Sequence, residues 1–344
     1  MSLVNGEEKV RDFASCFTFD NLMLASKRCL AGSSWKYKVQ LYDSRRITEC
    51  KRLFDELHDG SYRLHDAKQF TVNERGKLRN VKSIAFRDRV VQRCLCDYVF
   101  SEAILNNVIE DTSAALKTRG TTYAYERVKF HTREAARNSY IVQYDFTNYF
   151  GSINQQFLLS FLDGVVDKSF AKLLETIICS NEVGLELGSA VNQLCATFYP
   201  TPLDLSIQQI RGVTGYHRYM DDGIVFCETI KTARAVVDEL QSCSECLQLH
   251  LKESKTFINK LTSPFVFCKV RFTKLPNGGS KMNMRKRQTH RSVKHFRNVC
   301  SKAQNVAINV DAAAGSMYGY INRGDADLTH IFRHEYYRYN KLYC

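Results

Sequence analysis

Apolar and polar positions divide the chain into alternating helical and strand-like stretches. Residues 1–60 read as helical with mixed charge, closing at FDELHDGSY. LHDAKQFTVNERGKLRNVKSIAF then reads as a short strand-like stretch with a glycine-containing turn at Asn73–Gly76. From Arg87 to Asn106 the apolar residues Val90, Val91, Leu95, Tyr98 and Val99 fall at helical spacing. A loop, SAALKTRGTTYAYERV, leads into another helix. The segment YIVQYDFTNYF (140–150) predicts a strand that is apolar up to Asp145 and aromatic beyond it. A helix-like segment runs to about Ser180, and VGLELGSAVNQLCATFY opens a further helix through a glycine turn. Asp222-Gly223, between the strand-like runs Tyr216–Met220 and Ile224–Cys227, is a hairpin signal. TARAVVDELQSCSECLQLHL is amphipathic, FINKLTSPFVFCKVRFTKL predicts two strands, and the tail from Ser280 reads as basic and mainly helical. Strands mixed with longer helices make the fold class α+β.

Composition narrows the partners. The chain of 344 residues is 44% hydrophobic, with a globular balance and enough apolar surface for a large core or two to three subdomains. Lys and Arg outnumber Asp and Glu 49 to 36, a net charge of +13 that favours a polyanionic partner. No stretch of about 18 apolar residues exists and the N-terminus lacks a signal-peptide core, so the expectation is a cytoplasmic protein with no membrane association. The 13 cysteines are scattered. Only Cys243 and Cys246 stand as Cys-x-x-Cys, without a second ligand pair, so the thiols read as reduced core filling. His217 and His290 read as core or surface residues rather than ligands.

The stretch RYMDDGIVF (218–226) carries the chemistry. Two adjacent acids lie between residues that favour burial, where repulsion and desolvation both oppose them. A plain hairpin turn accounts for the glycine. It does not account for the second carboxylate. Asp145, at the end of another apolar strand, would meet Asp221 and Asp222 if the two strands were neighbours in one sheet. Carboxylates from neighbouring strands form an oxygen-rich site suited to Mg²⁺.

These residues also carry a family resemblance. QYDFTNYFGSIN resembles the first catalytic motif of reverse transcriptases, and YMDD at 219–222 resembles the second. Between them VGLELGSAVNQ resembles the template- and nucleotide-packing motif. LQLHLKESKTF resembles the lysine-bearing motif, FVFCKVRF the primer-grip hairpin, and GKLRNVKSIAFRDRVVQRCL the fingers segment of bacterial retroelement enzymes. The resemblance covers roughly residues 50–330. It implies a right-hand polymerase with an antiparallel palm sheet and a helical thumb: residues 1–140 as N-terminal extension and fingers, 141–275 as palm with a fingers segment at about 165–190, and 276–344 as thumb.

Residue by residue, the resemblance implies that Asp145, Asp221 and Asp222 hold two Mg²⁺ ions with the Phe146 carbonyl. Lys255 would assist pyrophosphate departure. Lys77, Arg79, Phe150, Leu187, Gly188 and Gln193 would bind the nucleotide, with the Phe150 ring crowding a ribose 2′-hydroxyl. Phe267, Cys268 and Lys269 would form the primer grip, and Arg287, Arg291 and Lys294 would contact nucleic acid. Implied partners are an RNA template, most simply a dedicated non-coding RNA, the DNA product and deoxynucleotides, with a second copy or a small accessory protein as further partners.

The chain departs from retroviral and group II intron enzymes in having Leu187-Gly188 and Asn192-Gln193 in the packing motif. That pattern is closer to diversity-generating retroelement enzymes and to defence-associated bacterial ones, where an apolar residue precedes the glycine. Asn192 and the loop LKTRGTTYAYERV depart even from the diversity-generating pattern, which favours anti-phage defence in a bacterial or phage setting. Mutagenic copying of a repeat RNA is the alternative. A non-catalytic nucleic-acid-binding relative is the alternative of another class, disfavoured because a binder gains nothing from three crowded acids. The expectation is a polymerase without an RNase H domain or a His-Asn-His nuclease.

Overall fold

A computed structural model describes residues 12–284 apart from 32, 75 and 76, together with 294, 297, 298 and 301. The chain opens with four helices, α1 (Phe13–Cys16), α2 (Phe19–Leu30), α3 (Tyr37–Ser44) and α4 (Arg46–His58). The Thr18 hydroxyl caps α2 by accepting from the Asn21 amide. Leu22, Ala25, Ser26 and Cys29 then form its buried stripe, which packs on α4 and on the later α5. Strands β1 (Lys68–Glu74) and β2 (Lys77–Ser83) pair as an antiparallel hairpin, closing at Glu74 opposite Lys77. Next, α5 (Phe86–Leu95) runs through one π-helical turn, Cys96–Phe100, into α6 (Ser101–Asn106), matching the helical periodicity of that stretch.

The middle of the chain builds a five-stranded sheet flanked by helices. In chain order come β3 (Thr112–Ser113), α7 (Thr121–Glu134), β4 (Tyr140–Asp145), α8 (Tyr149–Ser152), α9 (Gln155–Leu162), α10 (Ala171–Ile178), α11 (Ala190–Phe198) and α12 (Thr201–Gln209). Strands β5 (Val213–Tyr219) and β6 (Asp222–Cys227), helix α13 (Ile230–Cys246) and β7 (Phe257–Lys260) follow. The sheet order is β3-β5-β6-β4-β7. Its strands are antiparallel except that β3 runs parallel to β5. The sheet is therefore mixed where an antiparallel one was expected. Two residues carry no alternation by which β3 could be read.

Side-chain alternation gives the sheet two faces. Val142, Tyr144, Tyr216 and Val225 belong to the main core, which also holds Val191 of α11, Leu203 of α12 and Val236 of α13. Ile141, Ile224 and Phe226 point the other way, into a second cluster with Val128 of α7 and the chain beyond 260. Asp145 and Asp222 share the parity of Ile141 and Ile224, so the carboxylates belong to this second face.

The stretch after α13 yields three strands rather than two, and β7 joins the large sheet. Strands β8 (Phe265–Phe267) and β9 (Val270–Lys274) combine with β10 (Ser280–Met284) in a separate antiparallel sheet. The helix expected from Ser280 is thus corrected at its start. The turn signal Asn277-Gly278, with Gly278 at φ +86°, closes a β9–β10 hairpin in which Ser280 pairs with Lys274. Seven described cysteines are buried as expected, whereas Cys179 and Cys246 are exposed. Among the described residues no helix is long and apolar enough to cross a membrane.

The β5–β6 hairpin forms, but its turn lies two residues earlier than expected. Tyr219 pairs with Asp222, so Met220 and Asp221 are the two linking residues, and Met220 takes the left-handed conformation at φ +57°. Gly223 is inside β6 for a different reason. A Cβ there would lie 2.1 Å from ring carbons of Tyr144, its cross-strand partner. Behind the turn is a fully buried ion pair. Arg218 donates through Nε to Asp204 Oδ1 (2.7 Å) and through Nη2 to Oδ2 (2.6 Å), and both residues have no exposed surface. The same guanidinium holds the Met220 carbonyl (3.0 Å) and the Thr197 carbonyl (2.9 Å). Truncating one partner of a buried pair leaves the other charge uncompensated. Asp204→Ala is therefore expected to lower stability by about 3–5 kcal/mol, read as a shifted midpoint in chemical denaturation.

Candidate active site

The site is assembled by strand register. In the antiparallel β4–β6 pair, Asp145 lies directly opposite Asp222. Side chains so placed share a face, with Cβ atoms roughly 5 Å apart. Asp221 is the neighbouring turn residue. The positions expected to converge from separate segments do converge.

Lys255 joins them from a short 3₁₀ turn, Glu253–Lys255. Its ammonium hydrogen-bonds Asp145 Oδ2 and stands 3.9 Å from Asp222 Oδ1. Backbone pairing fixes this approach: the Lys252 amide donates to the Asp145 carbonyl (2.8 Å) and the Thr147 amide to the His250 carbonyl (2.7 Å). Phe146, between those bonds, bridges Leu251 at a position where its own N–H and C=O turn away from the 250–252 segment.

Electrostatics report the crowding. Burial, followed by the hydrogen bond with Asp145 and the charges of Asp221 and Asp145, pushes the Asp222 carboxyl up to about 7, against the opposing pull of Lys255. Burial works against the Lys255 charge, but the hydrogen bond to Asp145 and the field of all three carboxylates outweigh it, so its pKa is raised. The site has more negative charge than one ammonium neutralises. Hard carboxylate oxygens with unbalanced charge are the donor set that suits Mg²⁺. Among the described residues no three His, Cys, Asp or Glu side chains are gathered closely enough to hold an ion as they stand, and the ammonium of Lys255 lies between two of the carboxylates.

The β8–β9 hairpin faces this cluster. Gln143, on the carboxylate face of β4, donates to the Val266 carbonyl (2.8 Å). Burial and the charges of Asp222 and Asp221 raise the Cys268 thiol pKa, so that turn lies in the field of the acids. Phe267 is buried against His217, whereas Lys269 is exposed. Cys268 and Lys269 are the two linking residues of the hairpin, at φ +44° and +72°. Positive φ at both is the pattern of a turn that favours Asn-Gly, and it is unfavourable for side chains with a Cβ.

Other expected contacts gather elsewhere. Phe150 is half-buried on α8, and its carbonyl accepts from the Leu185 amide (2.7 Å), tying α8 to the 184–188 loop. Leu187 is half-buried and accepts from the Lys82 amide (3.4 Å). Gly188, at φ +113°, would bring a Cβ within 2.7 Å of the Lys82 carbonyl, so the loop rests on the β1–β2 hairpin through a residue that must lack a side chain. Gln193 is exposed on α11. Lys77 and Arg79 lie in β2, with side chains outside the described residues. Lys294 is exposed in a helical segment, and Arg287, Arg291 and His290 lie outside the described residues.

Asn192 is fully buried, donates to the Glu186 carbonyl (3.3 Å) and receives no nucleotide-facing exposure. Asn192 is thus packed against the 186–189 loop. His217 is likewise a core residue, buried beside Asp111 and Ser113, and burial lowers its pKa. Two supporting residues, Arg218 and Asp204, were not foreseen. Arg218 stands beside the YMDD motif, but its partner lies on α12, whose start is signalled by Pro202 and by Asp204 itself in the first turn.

Compared with known proteins, the chain matches no family model and no curated protein.

Two tests follow from the site. An unfolded aspartate titrates near 4, while Asp222 in the folded chain titrates at about 7. Between these values the folded state retains the proton, and ionisation costs it stability as pH rises. In metal-free buffer the stability of wild type relative to Asp222→Asn should fall from pH 5 to pH 8, measured by urea denaturation at each pH. Lys269→Gly should relieve the left-handed strain and raise stability by about 1 kcal/mol, read as a higher denaturation midpoint.

Proposed function

We propose that the chain is an RNA-templated DNA polymerase of right-hand architecture, with fingers within 1–140, a palm at 141–275 and a thumb from 276. The observation that carries this reading is the register pairing of Asp145 with Asp222, beside Asp221 and under Lys255. A nucleic-acid-binding relative without activity would have no use for two carboxylates set directly opposite each other beside a third, with the Asp222 carboxyl pushed up to about 7 by burial and then by Asp145 and Asp221.

Asp145 and Asp221, supported by Asp222 and the Phe146 carbonyl, would hold two Mg²⁺. Bound there, the ions supply Lewis acidity at the attacking 3′-hydroxyl and at the leaving pyrophosphate. The chain's own groups do the rest. Lys255, with its raised pKa, stays protonated at neutral pH and is placed to give a proton to the departing pyrophosphate. Phe150 limits the space at the ribose, and the Leu187-Gly188 backbone approaches the nucleotide. Lys77 and Arg79 supply charge for the triphosphate, and the 267–269 turn steadies the primer end. Arg287, Arg291 and Lys294 would lie along the template duplex.

For biological role we infer defence, with synthesis on a dedicated non-coding RNA in a bacterial or phage setting. With Asn192 accounted for by packing, that preference rests on the stretch LKTRGTTYAYERV (116–128), which runs into α7 at Thr121.

Primer extension on an RNA template with Mg²⁺ tests the activity. Wild type should extend a DNA primer and Asp221→Ala should lose at least about 1,000-fold, as expected when charge stabilisation at a reacting phosphoryl group is removed. No synthesis by wild type under any primer condition would leave the binding relative as the better reading.

A further inference from the structure

We propose that the exposed stretch around Trp35 is a stacking platform for single-stranded RNA, separate from the carboxylate cluster. Trp35 is 74% exposed and Tyr37 is 76% exposed, and Leu41, one turn along α3 from Tyr37, is also exposed. Large aromatic residues left in water forgo a substantial gain from burial, and a group of them marks a contact surface. The base beneath them is fixed. Ser33 is buried, donates to the Cys29 carbonyl (3.0 Å) and accepts from Arg89 (3.3 Å), and Val39 is buried in α3. The rings are therefore presented on a held turn.

Charge selects the partner. Lys36, Lys38 and Arg45 are exposed between and beside the aromatic positions, and none makes an ion pair among the described residues. The Lys36 ammonium lies 5.5 Å from the centre of the Trp35 ring. A protein interface selects against lysine at its centre. A single-stranded polyanion, in contrast, uses cations for its phosphates and aromatic faces for its bases. The platform lies on the helical layer that packs through α2, α4 and α5, so it can anchor a strand without occupying the carboxylate cluster. The choice of RNA rests on the polymerase reading. The stacking surface itself does not.

Trp35 is the single tryptophan of the chain, which makes its fluorescence a direct reporter. Titration of the full chain with a uridine 20-mer should quench the emission saturably. Trp35→Ala with Tyr37→Ala should weaken binding roughly tenfold, measured by anisotropy of a labelled oligomer, and Trp35→Phe should retain most of it. Lys36→Ala with Lys38→Ala should reduce the slope of log affinity against log salt by about 1.4. RNA binding at saturation without quenching, or unchanged affinity in the double aromatic variant, would overturn the proposal. So would a wild-type dimer that the aromatic variant dissociates, since a second copy would then cover the face. The titration is repeated in Asp221→Ala. Quenching should persist in that variant; quenching by a wild type that extends no primer would defeat the polymerase reading alone, and extension by wild type without quenching would defeat only the platform.

Discussion

The repulsion between Asp145 and Asp222, imposed by β4–β6 register, is the constraint around which the rest of the site is arranged. A sheet cannot relieve it locally, because a one-residue slip would turn Ile141, Ile224 and Phe226 out of their cluster. Compensation must come from elsewhere. Lys255 supplies it in part from the front, yet Asp222 still holds its proton up to about 7. The register therefore maintains a charge imbalance that folding would ordinarily select against.

The reverse face of the same strands shows the opposite solution. Arg218 and Asp204 are both fully buried and fully bonded, and the pair grips the Met220 carbonyl of the turn. A charge pair in a dry core contributes little net stability against an apolar replacement of the same shape. Its use here is positional: the turn carrying Asp221 is held from behind by directional bonds that a hydrophobic contact would not provide. Rigidity on one face supports imbalance on the other.

What depends on short-range pattern was legible in the sequence. The helical run after Arg87, the strand ending at Asp145, and the hairpin carrying Asp221 and Asp222 were all legible, because periodicity and turn residues encode them locally. Four features were not. The parallel strand β3 is too short to alternate. The β9–β10 hairpin was hidden by the basic residues that follow it, although Asn277-Gly278 announced it. Asp-Gly at 222–223 suggested the correct hairpin for the wrong reason, since Gly223 makes room for Tyr144 across the sheet. The Arg218–Asp204 pair, joining β5 to a helix absent from the reading, depends on tertiary packing that no local signal specifies.

Three of the eight described non-glycine residues with left-handed backbone stand at the tips of two hairpins. Met220 lies at one hairpin tip, and Cys268 and Lys269 form the other. Such conformations persist only where surroundings over-determine them. For Met220 the determinants are visible: its amide donates to the Ser113 carbonyl (3.3 Å) and its carbonyl accepts from Arg218. For Cys268 the carbonyl accepts from the Tyr125 hydroxyl (3.1 Å), and Gln143 ties the preceding strand to β4. Each tip is thus held in an unfavourable conformation by bonds from a neighbouring element. Glycine at these positions would remove the strain but also the side chains of Met220, Cys268 and Lys269. That trade is intelligible if the side chains at the tips, rather than the turns themselves, are what the fold is built to present.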